Sequence, residues 1–168
     1  VPALVFSVLA DKSFDMVAYQ DLALASALIV LGSGVVLLPI VKLLGWNLKT
    51  FIPPMMFNNA GNMGVPLLVL AFGAEALPAA VVVFIVEMLL HFSVGLYMLN
   101  PRTSLWRMLR MPIVLASLAG LAVNISGLPL PGWLLEAMHM LGGVCIPLML
   151  FALGVRLLEI DFSDWRTG

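Results

Sequence analysis

The sequence predicts an all-α fold, a polytopic helical bundle that crosses a membrane several times. Three observations carry that prediction. Hydrophobic residues make up 62% of the 168-residue chain and charged residues 10%, with a mean hydropathy of +1.12, whereas a soluble globular domain carries roughly 25% charged residues. Apolar runs close to the about 20 residues needed to cross hydrocarbon recur along the chain. Trp46, Trp106, Trp133 and Trp165, with Tyr19 and Tyr97, fall at or near the ends of those runs, where amphipathic aromatic rings settle at headgroup level.

Taken in order, the expected spans are 1–10 (half-length), 22–44, 51–72, 77–99, 111–127 and 133–156, all in one transmembrane domain covering 1–168. The connections are short and carry turn chemistry, as in Asn100-Pro101 and Ser126-Gly127-Leu128-Pro129-Leu130-Pro131-Gly132. The run 51–72 differs from the others. It holds Asn58-Asn59-Ala60-Gly61-Asn62-Met63-Gly64-Val65-Pro66, so its helix is expected to break near 58–66. Unwound backbone survives at membrane depth only where protein packs around it or a polar cavity solvates it. Secondary transporters use such breaks to hold substrate near the bilayer midplane.

Charge narrows the remaining classes. A net charge of −1 and the lack of a dense Lys/Arg run argue against nucleic acid as a partner. One cysteine, Cys145, forms no disulfide framework and reads as a small buried hydrophobe. Lys42, Lys49, Arg102, Arg107, Arg110, Arg156 and Arg166 lie on one side of the expected topology, and Lys12 alone on the other. The positive-inside rule makes the first side cytoplasmic, with Arg102, Arg107 and Arg110 as its anchor. Val1 opens directly in apolar sequence with no initiating Met and no basic leader, and the chain is expected to be a piece of a longer protein.

Candidate site residues follow from the break. Asn58, Asn59 and Asn62 offer amide donors and acceptors, and Gly61, Gly64 and Pro66 let the backbone unwind and approach closely. Such amides, with freed N–H groups and a half-helix N-terminus, suit a carboxylate. The alternative role is structural: asparagines that cap the broken helix and join neighbouring helices, for about 0.6 to 2 kcal/mol. Glu87 lies deep in 77–99, with His91 one turn further on the same face. A charge at that depth costs about 2.5 to 3.5 kcal/mol on insertion scales, so it faces the bundle interior or a wet cavity. Two readings stand, a proton carrier or a static Glu87–His91 hydrogen bond at i,i+4. Glu136 and His139 read as a solvated interfacial pair, and Ser26, Ser33, Ser117 and Asn124 as helix-to-helix contacts.

An enzyme is not expected. The chain holds no H-E-x-x-H, G-x-S-x-G or P-loop pattern, and neither a metal site nor a bound cofactor is anticipated beyond coupling to H+ or Na+. A channel or a noncatalytic membrane subunit is the nearest alternative, with an intramembrane enzyme behind it. Val1-Pro2-Ala3-Leu4-Val5-Phe6 also echoes Ile146-Pro147-Leu148-Met149-Leu150-Phe151. Five spans apart, the two segments cross in opposite directions, as in an inverted repeat of five helices, although chance similarity also explains the match.

The motif Asn58 to Leu67, followed by Phe72-Gly73, resembles the broken fourth helix of the auxin efflux carrier family, which includes bacterial malonate-type carriers. Residues 1–6 resemble that family's second helix, and Pro147-Leu148-Met149-Leu150-Phe151-Ala152-Leu153-Gly154 its seventh, so the resemblance covers the chain as helices two to seven of ten. It implies two inverted five-helix repeats, a fold related to bile-acid and sodium/proton carriers, and secondary transport of small organic anions. The implied site is the crossing of two broken helices. The short segment 100–110 departs from the plant carriers, which have a long hydrophilic loop there, and favours a prokaryotic dicarboxylate or metabolite carrier. The expected setting is then a multi-pass protein of the prokaryotic inner membrane. Its partners would be an organic anion and the bilayer, with room for a homodimer.

Overall fold

The computed structural model describes residues 1–100, 106 and 109–158. Every element among them is helical: α1 (Pro2–Ala10), α2 (Gln20–Leu43), α3 (Leu48–Met56), a π turn (Ala60–Gly64), α4 (Val65–Phe72), a 3-10 turn (Ala74–Ala76), α5 (Leu77–Leu90), a second π turn (His91–Gly95), α6 (Leu96–Leu99), α7 (Pro112–Ser126) and α8 (Gly132–Leu158). Among the described residues, four continuous or nearly continuous stretches are long and apolar enough to cross a membrane: Gln20–Leu43, Leu48–Phe72, Ala74–Leu99 and Gly132–Leu158. They make this a membrane-embedded protein. The 15 residues of α7 rise about 22 Å, short of the hydrocarbon thickness. Arg102, Arg107, Trp165 and Arg166 lie outside the described residues.

Helix α2 shows how these elements meet lipid. Its buried residues are Ser26, Val30, Gly34 and Val41, a single stripe, while Leu28, Ile29, Val35 and Val36 stand exposed. A helix apolar all round with one packed stripe fits hydrocarbon on its other faces. It ends in a Schellman closure: Gly45, at φ +69°, donates to Lys42 O, and Trp46 N–H donates to Val41 O at 3.0 Å. Asn47 then caps α3 by accepting from Lys49 N–H at 2.9 Å, and Trp46 stacks on Phe51 at 4.7 Å between ring centroids, a hydrophobic staple across the helix start.

The half-length α1 is the most enclosed helix. Leu4, Val5, Ser7, Val8, Leu9 and Ala10 are all buried, because α1 packs against α5, α7 and α8. Small residues admit it: a Cβ at Gly120 of α7 would fall 2.9 Å from Leu9 Cβ and 3.1 Å from Phe6 O. Asn124 Nδ2 donates to Asp11 O at 2.8 Å and to Phe14 O at 3.2 Å, tying α7 to the chain after α1. Ser26 and Ser117 are buried and Ser33 is half-buried, as helix-to-helix contacts require. Their hydroxyls donate to Leu22 O, Val30 O and Ile113 O within their own helices, which spares each a cross-helix partner. A second core region, Val30, Val41, Ile52, Met56 and Phe57, joins α2 to α3 and carries packing up to the break.

Candidate functional site

Within Leu48–Phe72 the helix stops at Met56 and resumes as a π turn at Ala60. Phe57 is extended (φ −108°, ψ 120°). Pro53 and Pro54 precede it, and each removes a backbone donor from the last turns of α3. Asn59 restarts the chain. Its side chain accepts from Asn62 N–H at 3.3 Å, and its backbone O accepts from Met63 N–H at 3.0 Å and Gly64 N–H at 3.1 Å. The break falls at the middle of the 25-residue span.

A second irregularity faces the first. Ala74–Leu99 contains a π turn at His91–Gly95, a feature often found at functional sites. Phe57 packs into it, its ring centroid 4.9 Å from that of His91 and its Cε2 filling the place of a Cβ at Gly95. Four residues before the turn, Glu87 is buried at 5% exposure. Its carboxyl group is directed toward the backbone amides of Asn58 and Ala60, and Glu87 Oε1 has no hydrogen-bond partner. The carboxyl thus stands beside donors that unwinding sets free. Of the two readings drawn from spacing, the static Glu87–His91 hydrogen bond is not formed: Glu87 Oε1 is without a partner, and the His91 ring lies against Phe57 and Phe92.

Two clefts open on the break. One, of about 280 Å³, is lined by Asn58, Asn59, Asn62, Gly61, Glu87 and His91 among others. The other, of about 210 Å³, lies between Asn59, Asn62 and the Cys145–Arg156 part of α8. The three asparagines are exposed to these spaces. Gly61 makes room for a neighbour, since a Cβ there would sit 2.7 Å from Phe84 Cε2. Gly64 and Pro66 line neither cleft. A Cβ at Gly64 would meet only ordinary contacts, the nearest 3.7 Å away at Ala60 Cβ. Pro66 is buried in the first turn of α4, where a missing N–H is tolerated, so the unwinding lies upstream of it at residues 57–59.

Cys145 is half-buried on the α8 wall. Glu136 and His139 are exposed, and His139 faces Asp11 rather than forming a closed pair with Glu136. The Asp11 carboxyl is held below its ordinary value chiefly by Ser13, whose hydroxyl and amide donate to it at 2.7 and 2.8 Å, with a smaller attraction from His139. Those residues border clefts of about 330 and 320 Å³ away from the break. These are larger, but they contain no unwound membrane span. Among the described residues, no group of three His, Cys, Asp or Glu side chains is placed to hold a metal ion. Arg110 lies over the Trp106 ring at 6.0 Å, a cation–π contact suited to an interfacial anchor. In comparisons with known proteins, no family model, no curated protein and no solved structure matches this chain.

Proposed function

We propose that this chain is part of a secondary active transporter, an efflux carrier or permease, for small organic anions such as malonate or related carboxylates. One observation carries the reading: a membrane span unwound at its centre presents Asn58, Asn59 and Asn62 to clefts walled by neighbouring helices. Amide side chains and a half-helix N-terminus supply donors and positive potential where a carboxylate has lost its water. The resemblance to the auxin efflux carrier family supports the same reading. It adds an inverted five-plus-five repeat, with a second broken helix about 145 residues after the first, and a prokaryotic inner-membrane setting. Transport proceeds by alternating access, one bundle moving against the other around the site, with H+ or Na+ as the coupling ion.

Counterflow tests this in full-length protein reconstituted into liposomes. Vesicles preloaded with unlabelled malonate should transiently accumulate labelled malonate, because a carrier returns loaded. A channel gives label that only equilibrates. The absence of malonate-dependent accumulation across the small carboxylates would contradict the carrier reading.

A further inference from the structure

The turn bearing Asn59 and Asn62 separates two clefts, one holding an acidic side chain and the other a basic one. On one side stands the buried carboxyl of Glu87. On the other, Cys145, Met149, Ala152 and Arg156 of α8 line the wall. Their intervals of four, three and four residues place them on one helical stripe, which runs about 16 Å and ends in a guanidinium. Most of the circumference of α8 is open, with only Gly142 and Met149 buried. A basic residue serving membrane orientation alone is free to occupy any of those other faces. Arg156 instead stands on the face turned to the asparagines.

We infer that the carried anion occupies the α8 side of the turn, with one carboxylate on the Asn59 and Asn62 amides and Arg156 as the residue that selects for negative charge. This rests on the carrier reading above and adds to it which side is used and which cation recognises the substrate. The Glu87 side is the poorer host. An ionised carboxyl there repels an anion, and among the described residues no Lys or Arg lines that cleft. A guanidinium offers a planar fork that matches a carboxylate. Leu148, Met149 and Leu153 give the same cleft an apolar wall. The volume of about 210 Å³ is below the range of drug-sized ligand pockets and suits a short dicarboxylate.

Cys145, the sole cysteine of the sequence, lines this cleft and not that of Glu87, which gives a local probe. Full-length protein in liposomes is alkylated with N-ethylmaleimide, and modification of Cys145 is followed by mass spectrometry with malonate or, at matched ionic strength, chloride. Malonate should slow alkylation and chloride should not. Arg156→Gln should raise the malonate concentration for half-protection roughly tenfold, with Arg156→Lys, which keeps the orienting charge, in between. Equal protection in wild type and Arg156→Gln overturns the role of Arg156. Counterflow of malonate without protection of Cys145 overturns the placement while the carrier reading stands. Absence of both defeats the two together. Should Arg156→Gln fail to insert, protection in the wild type decides the placement and Arg156→Lys the role.

Discussion

Glu87 joins the chemistry of the break to its stability. Its carboxyl is directed toward the amides of Asn58 and Ala60, so Glu87→Ala removes the acceptor nearest to two donors that the break sets free. The expected cost is about 1 to 3 kcal/mol, read as a lower thermal midpoint in detergent. Glu87→Gln keeps a carbonyl acceptor and should lose less. Equal midpoints for the two variants would mean that the amides have other partners. The same pair separates structure from coupling. If Glu87 carries the proton, Glu87→Gln abolishes accumulation driven by a pH gradient while counterflow continues; undiminished pH-driven accumulation would remove Glu87 from that role. Sequence spacing put His91 on the face of Glu87, because i,i+4 neighbours share a face, and left both a static pair and a proton carrier open. It carries no information about amides on another helix, toward which the carboxyl is directed.

Among the elements, the broken span and the enclosed α1 depend on glycine for different reasons. At Gly61 an added Cβ meets the Phe84 ring at 2.7 Å, and the ring can rotate away, so Gly61→Ala should cost about 1 kcal/mol, the low end of overpacking. Gly64→Ala meets only ordinary van der Waals contacts and should be nearly silent. At Gly120 the obstacles are Leu9 Cβ and the backbone of α1, which yield less readily, and Gly120→Ala should cost more than Gly61→Ala. Thermal midpoints of the three variants check the order, and a destabilising Gly64→Ala would contradict the packing described around the break. Helix ends were legible to within a few residues because Pro, Gly and Asn interrupt apolar runs. So was the break, although its unwinding lies at 57–59 and Pro66 sits downstream inside α4. The π turn at His91–Gly95 was not legible, since Ser93 and Gly95 are ordinary in a membrane helix. The centrality of α1 was not legible either: a segment apolar all round gives no periodicity from which to read its neighbours.

For the whole molecule, composition alone placed the chain in a membrane, because no core of this size in water needs so few charges. The structure supports that placement with four long apolar helices and large exposed apolar faces on α2 and α8. The proposed function rests on a narrower feature, the polar turn held between α5 and α8 at the centre of one span. Composition located the turn; its two clefts required the tertiary arrangement, since Arg156 and Asn62 are far apart in sequence. The most direct measurement is the concentration dependence of malonate uptake by full-length protein in liposomes, wild type beside Asn62→Ala, at equal amounts of correctly inserted protein. Saturable uptake is predicted, with KM roughly tenfold higher in Asn62→Ala, as when a polar partner to a charged substrate group is lost. Identical saturation curves for the two proteins would contradict the assignment of the anion to the broken turn.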